Sequence, residues 1–334
     1  MPDPRIVDAF PAFERFWTKV VDEPVRRQVE LWDQEFRVGW PELWEKQVDC
    51  YRVEGVDWRT VARTRVFPFL GARLARMRAL HSELLRSLSR TLERTRRVLG
   101  VRFPVRFVIH VGIGCGAGWA TTYGGRPACL FGLENAAESH DGRDGWSRRV
   151  VAHEVAHLAH QRWRGEAWGE ETDPWWRLYE EGFATHCERE AEPGTFPFRT
   201  GNSDWLRWCD AHRASLAGRY LQDVRARRSL RPFFGSWYTI RGQTEAGYYL
   251  GSEVIRDWTG RLTLPEVAVL PRPEIRRRVR AALERFAAGS DARGPGRPSL
   301  EALRNASGRR SSAVGQRNRK MPSRSRTLGP PSGT

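Results

Sequence analysis

The sequence has few lysines and no long apolar run. Three of its 56 basic residues are lysine (Lys19, Lys46 and Lys320), and the other 53 are arginine, a bias more typical of a GC-rich genome than of selection for phosphate contacts. No apolar stretch approaches the roughly 20 residues that a membrane-spanning helix needs. The charged, proline-containing N-terminus also lacks the apolar core of a signal peptide. We therefore expect a cytoplasmic protein that makes no membrane contact.

Cysteine is also scarce. The five cysteines lie far apart and form no C-x-x-C pair; they are Cys50, Cys115, Cys129, Cys187 and Cys209. This number and spacing argue against a disulfide scaffold and against a cysteine zinc site. We therefore expect reduced thiols, which agrees with a cytoplasmic location.

The net charge of +16 over 334 residues is unevenly distributed. From Pro271 onwards the net charge is +12, so the first 270 residues carry only +4. Beyond residue 289 glycine, proline, serine and arginine dominate, which predicts a disordered basic tail over 290–334. This tail could make weak nucleic-acid contacts, but no helix-turn-helix, zinc-finger or RNA-binding motif accompanies it. A basic nucleic-acid-binding protein is therefore the alternative. We expect the residues that carry the main function in the near-neutral body.

The body has enough apolar material for a core, with 40% hydrophobic residues. We divide it into an N-terminal helical region (1–100) and a second domain (101–289), which the motifs described below predict to be the catalytic domain. Leucines at three- and four-residue spacing predict a long helix over 72–99 that ends at Gly100. Three strands are predicted after it, with a Gly124-Gly125 turn between the second and the third. The predicted strands are Val105–Val111, Trp119–Tyr123 and Ala128–Leu133.

The residues that carry chemistry are His153-Glu154-x-x-His157, an H-E-x-x-H pattern in an apolar helical context with Ser147 as its candidate cap. Residues four apart share one helix face, so both imidazoles can bind a single Zn²⁺. Glu154 is then placed to take a proton from water. His160 lies about 10 Å from His153 along the axis, so we expect it in the core or behind the ligands. A metzincin is excluded because position 160 is not glycine and position 163 is Trp163.

A third ligand is expected on the next helix, which we predict to start at Asp173-Pro174. The segment Glu181-Gly182-Phe183-Ala184 would bring a carboxylate to the metal, and its small residues would allow close helix approach. Glu181 completes a His₂Glu set that leaves a fourth position for water, with Glu180 as the alternative ligand. His186 and Cys187 have no partner at metal-site spacing, and we expect them to pack in the core.

These motifs together resemble the gluzincin metallopeptidases, the thermolysin-like clan whose aminopeptidases carry the third ligand in an Asn-Glu-Gly-Phe-Ala segment. The chain is most similar to a bacterial domain family described as predicted zinc-dependent proteases. The resemblance covers about residues 103–262. It implies an α+β fold with a thermolysin-like zincin core, in which a small mixed sheet lies over the HExxH helix and a mostly helical part follows.

The resemblance also implies roles for residues outside the ligand set. Tyr248, three residues before Gly251, matches the tyrosine that stabilises the oxyanion in the aminopeptidase branch, with Tyr249 as the alternative. Gly132-Leu133-Glu134-Asn135 is similar to the aminopeptidase segment that binds a substrate amino terminus, but it is one residue shorter. The strand over 128–133 would be the sheet edge on which these enzymes pair an extended peptide. A longer segment separates His157 from Glu181 than in the aminopeptidases, so an extra loop is expected over 161–172.

The sequence therefore predicts a zinc-dependent metallohydrolase with one Zn²⁺ per chain, held by His153, His157 and Glu181. Glu154 is the predicted general base, Tyr248 the predicted oxyanion donor, and a peptide or protein the predicted substrate. A zinc-binding scaffold without turnover is the further alternative.

Overall fold

The structure is a computed structural model that describes residues 5–53, 55–140, 142, 145–165, 173–193, 203–235 and 237–289. The predicted basic tail over 290–334 lies outside these residues. Residues 1–290 form one compact unit, so the N-terminal helical region and the predicted catalytic domain are packed together.

This unit contains a small mixed sheet. Its four strands are β1 (Arg5–Asp8), β2 (Arg106–His110), β3 (Trp119–Tyr123) and β4 (Arg126–Gly132), in the spatial order β1-β2-β4-β3. The pairs β1–β2 and β2–β4 are parallel, and β3–β4 is antiparallel. With helices forming most of the remaining chain, the predicted α+β class is confirmed.

The sheet order corrects one expectation. The strand expected at the sheet edge, over 128–133, is β4, which lies between β2 and β3. The edge strand on that side of the sheet is β3, which pairs with β4 through the predicted two-residue turn at Gly124-Gly125, since Tyr123 is opposite Arg126. Both glycines have positive φ, as a tight hairpin with the native twist requires. Sequence alone also missed β1, which comes from the N-terminal helical region.

Fourteen α-helices surround this sheet in the described part of the chain. Before β2 they are α1 (Phe10–Val20), α2 (Val25–Gly39), α3 (Pro41–Val53), α4 (Trp58–Val61) and, after a π-helical turn over Ala62–Val66, α5 (Phe67–Leu99). After β4 they are α6 (Leu133–Ser139), α7 (Trp146–Arg164), α8 (Pro174–Ala191), α9 (Ser203–Ala211), α10 (Arg213–Arg225), α11 (Arg231–Phe234), α12 (Ala246–Thr259), α13 (Leu264–Ala268) and α14 (Arg272–Ala287). None of the described helices is both long and apolar enough to cross a bilayer.

The long helix α5 supports the HExxH helix from outside. It ends as predicted at Gly100, whose positive φ closes the C-terminus, and its buried leucines face the core. Its inner face packs along α7. The N-terminal region thus forms part of the scaffold around the predicted site.

The HExxH helix α7 differs from the prediction at both ends. It begins at Trp146, and Ser147 is not its cap; the buried Ser147 hydroxyl instead donates to Glu83 on α5 at 2.7 Å. At the other end α7 continues to Arg164 before Gly165 terminates it, so the loop expected from residue 161 begins later. The rest of that predicted loop, 166–172, lies outside the described residues.

Helices α8 and α12 cross in unusually close contact through two glycines. A methyl group built on Gly182 would lie 2.3 Å from the carbonyl carbon of Gly251, and one built on Gly251 would lie 2.3 Å from the Leu178 oxygen. Neither position therefore has room for a side chain unless the helices move apart. This crossing holds the Glu181 segment against the start of α12, where Tyr248 is found.

A disulfide bond joins Cys50 on α3 to Cys115 in the segment between β2 and β3. The expectation that all five cysteines are reduced thiols is therefore wrong for this pair, while the other three are free and buried. The pair escaped prediction because its members are 65 residues apart and only the tertiary fold brings them together. Because two of the five cysteines are bonded, the cysteines no longer support the expectation of a reducing compartment.

Candidate metal centre

The structure brings His153, His157 and Glu181 together as a cluster that could hold a metal ion. His153 Nε2 lies 3.2 Å from His157 Nε2 and 3.3 Å from Glu181 Oε2. His157 Nε2 lies 3.6 Å from the same carboxylate oxygen. Three donor atoms thus form a nearly equilateral triangle, with both histidines largely buried.

Local sequence explains why these three side chains converge. His153 and His157 are one turn apart on α7, so their rings project from the same face. Asp173 caps α8 by accepting from the Trp175 N–H at 2.9 Å, and Pro174 starts the helix as predicted. From that fixed start Glu181 lies two turns along α8, on the side packed against α7.

The charges of the cluster are strongly coupled. Burial by itself lowers the pKa of His153, but the carboxylates of Glu181 and Glu188 outweigh burial and raise that pKa to about 9. Burial likewise opposes the charged form of His157, whose pKa is raised by Glu181. In turn, the two imidazoles hold the pKa of Glu181 well below its ordinary value against the effect of burial. The carboxylates of the site therefore stabilise positive charge on the two imidazoles.

A second carboxylate, Glu188, was missed from the sequence. Its Oε2 lies 3.4 Å from His153 Nδ1, on the ring edge opposite the metal-facing nitrogen, and its side chain is 2% exposed. A carboxylate in this position fixes the tautomer and orientation of a metal-binding imidazole. Helical spacing could have found it, because Glu188 is seven residues, about two turns, beyond Glu181 on the same helix.

Glu154, the predicted general base, is buried and lies beside the backbone of Gly118. A methyl group built on Gly118 would lie 2.9 Å from Glu154 Oε1 and 2.6 Å from Val150 Cγ2. Only glycine therefore fits opposite Glu154 without displacing it. The negative charge of Glu154 also acts on both His153 and His157, so the base and the two imidazoles belong to one electrostatic unit.

The structure separates Tyr248 from its alternative. The ring of Tyr248 lies 5.9 Å from that of His153, and its side chain is 7% exposed. Tyr249 points elsewhere: its hydroxyl donates to Asp210 at 2.6 Å and accepts from Arg213 at 2.8 Å. Of the two tyrosines, Tyr248 is the one beside the cluster.

The alternative third ligand, Glu180, is also directed away from the cluster. Its Oε2 accepts from the Trp176 indole N–H at 3.2 Å, whereas Glu181 faces the two histidines.

The remaining candidate side chains on these helices lie in the core. His160 Nε2 is 2.8 Å from the Tyr179 hydroxyl and its ring packs on Phe183. His186 lies 3.3 Å from the Thr259 hydroxyl, and burial, with help from nearby arginines, lowers its pKa to about 4. Cys187 is fully buried. None of these three belongs to the cluster.

Glu134 has a structural position in place of the amino-terminus-binding one that its motif implied. It is fully buried, accepts from the Gly114 N–H at 3.1 Å, and lies in α6 together with Asn135, which donates to the Gly114 oxygen at 3.2 Å. Burial raises the pKa of Glu134 to about 7, although backbone N–H groups of Gly112 and Gly114 oppose that rise. The two side chains hold the N–H and the carbonyl group of one residue, Gly114, in the segment that precedes β3.

Helix α3 holds the same segment from the other side. Gln47 accepts from the Ile113 N–H at 3.1 Å, and the Tyr51 hydroxyl donates to the Ile113 oxygen at 2.7 Å. The Cys50–Cys115 disulfide adds a covalent link. Residues 113–115 are therefore held from both sides, three residues before Gly118, which lies beside Glu154.

Comparison with known proteins identifies no relative: no family model, no curated protein and no solved structure matches this chain.

Proposed function

We propose that this protein is a zinc-dependent hydrolase that cleaves peptide bonds. The observation that carries the proposal is the donor triangle of His153, His157 and Glu181, with edges of 3.2, 3.3 and 3.6 Å. Tetrahedral zinc with bonds of 2.0–2.1 Å separates its ligand atoms by about 3.3–3.4 Å. The spacing of the three donor atoms therefore fits zinc, and two imidazoles with one carboxylate form a catalytic type of ligand set that leaves one position open.

When bound, zinc supplies Lewis acidity, which lowers the pKa of a water molecule from 15.7 toward about 7 and polarises a carbonyl group. Glu188 keeps His153 in the tautomer whose Nε2 is free to bind a metal. Glu154 accepts the proton of the attacking water and passes it to the leaving amine. Tyr248, beside His153, donates a hydrogen bond to the oxyanion as it forms.

A peptide substrate is favoured by the edge strand. Among the described strands β3 pairs only with β4, and it starts at Trp119, directly after the Gly118 backbone that touches Glu154. An extended peptide can add to such an edge through main-chain hydrogen bonds, which brings its carbonyl groups to the general base. This replaces the predicted pairing on the strand over 128–133, which is internal.

The test is the zinc content and turnover of the purified protein. We expect one zinc per chain in the wild type, loss of zinc in Glu181→Ala, and retention in the matched control Glu180→Ala, because only Glu181 faces the histidines. Glu154→Gln should keep its zinc and lose peptide hydrolysis by about 10²–10⁴-fold.

Two results would contradict this proposal. Equal zinc content in Glu181→Ala and wild type would show that Glu181 is not a zinc ligand. A zinc-loaded wild type that cleaves no peptide from a mixed library would instead indicate a binding scaffold without turnover.

A further inference from the structure

A cleft of about 490 Å³ opens beside the metal cluster. Two of the residues that line it are neighbours of the candidate site: Tyr248 lies beside His153, and Gly118 lies beside Glu154. The Tyr248 ring lies 5.9 Å from the His153 ring on one side and 5.7 Å from the Phe234 ring, inside the cleft, on the other. A molecule in the cleft is therefore next to the groups that we propose to be catalytic, and the volume is typical of ligand-binding cavities.

The charge of the cleft has one sign. Its lining contains three arginines, Arg65, Arg177 and Arg231, and no aspartate or glutamate. A carboxylate near the rim, Glu138, accepts from Trp237 and is paired with Arg73 at 2.8 Å, so its charge is balanced. The side chains that line the cleft therefore carry a net positive charge.

Two of these arginines differ from the many described arginines that pair with acidic side chains. Arg189 and Arg213, for example, form ion pairs with acidic side chains. Arg65 and Arg177 are exposed and form no salt bridge with any residue that the structure describes. Cations that line a cavity without a carboxylate partner are suited to an anionic ligand.

Aromatic rings contact two of the arginines that line this cleft. The Arg177 guanidinium lies 4.7 Å from the centre of the Phe234 ring, and that of Arg231 lies 6.0 Å from the Tyr238 ring. Stacking of this kind fixes a guanidinium while leaving its N–H groups available at the edge. The exposed Trp237 and Tyr238 also offer apolar surface for the hydrocarbon part of a ligand.

We propose that this cleft binds the carboxylate side chains of an acidic peptide, so that the enzyme prefers substrates with aspartate or glutamate near the cleaved bond. The inference rests on the proposed function, because that function makes the ligand a peptide. Paired N–H donors of arginine match the planar carboxylate, and the aromatic rings cover the methylene groups beside it. A nucleic acid fits less well, because such ligands require basic side chains along an extended track, and this cleft is confined to one end of the sheet.

The experiment measures peptide binding without turnover, in full-length, zinc-loaded protein carrying Glu154→Gln. Two labelled peptides of one sequence are compared by fluorescence anisotropy, one with glutamates and the other with glutamines at the same positions. We expect the glutamate peptide to bind about tenfold or more tightly, since hydrogen bonds to charged groups have roughly that effect. Adding Arg177→Gln should remove this preference, and Arg65→Gln should reduce it.

Two further variants separate charge from folding. Arg177→Lys keeps the charge and should retain part of the preference. Arg207→Gln removes an exposed arginine that pairs with Asp204 on α9, and it should leave the preference unchanged. Arg177→Glu should reverse the preference toward a peptide with lysines at the same positions.

Equal affinity for the two peptides, or a preference that survives Arg177→Gln, would overturn the cleft assignment. So would tighter Arg177-dependent binding of a single-stranded oligonucleotide. The two proposals can fail separately. If the wild type cleaves both peptides with the same kcat/KM, the cleft assignment is wrong and the proposed hydrolase function stands. If acidic peptides bind through Arg177 and the wild type cleaves nothing, the hydrolase fails and the cleft assignment remains.

Discussion

Two buried histidines of this protein lie in opposite surroundings. His153, 1% exposed, has carboxylates close to both ring nitrogens, Glu181 at 3.3 Å and Glu188 at 3.4 Å. His110, fully buried at the end of β2, packs against the Trp119 ring at 5.4 Å, and neither of its ring nitrogens has a hydrogen-bond partner among the described residues. The carboxylates raise the pKa of His153 to about 9, whereas burial alone lowers that of His110 to about 3.

The difference shows that burial does not decide what a histidine does. Burial disfavours the charged form in both places, and the pKa of His153 rises only because anionic partners more than offset that effect. Such partners also make an imidazole a good metal ligand, since a positive ion can take the place of the proton. His110 belongs to the apolar core of the sheet, and His153 belongs to a cluster that could hold a cation.

The largest expected effect is the decrease in the free energy of unfolding that the burial of His110 causes at low pH. Its folded pKa lies below the unfolded value of 6.5, so its contribution to stability is complete above that pH and decreases as the pH falls toward about 3. The loss is about 1.4 kcal/mol per pH unit, so that it reaches about 2 kcal/mol between pH 6.5 and pH 5 and about 4 kcal/mol at pH 3. His110→Leu should remove it, so the stability of the variant relative to wild type should improve by that amount over this range in chemical denaturation.

Comparing the two proteins at each pH isolates this effect from Glu134, whose raised pKa gives stability an opposite pH dependence in both of them. Val108→Ala, on the same strand, is the matched control; it should cost stability by an amount that does not change with pH. A difference between His110→Leu and wild type that stays constant from pH 7 to pH 5 would show that folding does not lower the pKa of His110.

The next largest effect concerns the segment that joins His110 to the surroundings of Glu154. It follows His110 and reaches Glu154 at Gly118, and the Cys50–Cys115 disulfide fixes it to α3. Closing a loop between cysteines 65 residues apart restricts the unfolded chain, an effect typically worth about 2–4 kcal/mol. We expect Cys50→Ala/Cys115→Ala to lower the free energy of unfolding by that amount.

The double variant also provides the control for reduction. A reducing agent should destabilise the wild type to the level of the double variant and leave the double variant unchanged. If the unfolding midpoint of the wild type is the same with and without the reducing agent, the bond makes no contribution to stability.

Sequence reasoning succeeded where the structure is determined locally. The leucine spacing of α5, its end at Gly100 and the Gly124-Gly125 turn depend on neighbouring residues, and all three were predicted. The four-residue strand β1 was missed because its partner β2 begins about 100 residues later. The internal position of β4 was missed for the same reason, since pairing over long sequence distances sets the strand order.

The candidate site follows the same division. His153, Glu154 and His157 lie within five residues of one helix, so spacing alone placed them on one face. The cleft arginines come from the π-helical turn, α8 and α11, which no local pattern connects, so sequence gave no indication of them. Glu188 lies between these cases, because its spacing from Glu181 was visible but nothing in the sequence showed that it faces His153.

The smallest of these effects tests the carboxylate side of the comparison. Glu188→Gln removes the negative charge next to His153 Nδ1 and keeps the size of the side chain. Replacing such a supporting carboxylate typically weakens metal binding by 10–100-fold, and we expect that loss in a competitive zinc titration. Glu190→Gln, an exposed position on the same helix, should bind zinc as tightly as wild type. Unchanged affinity in Glu188→Gln would mean that Glu181 and Glu154, without Glu188, distinguish His153 from His110, since these are the other carboxylates that act on the ligand.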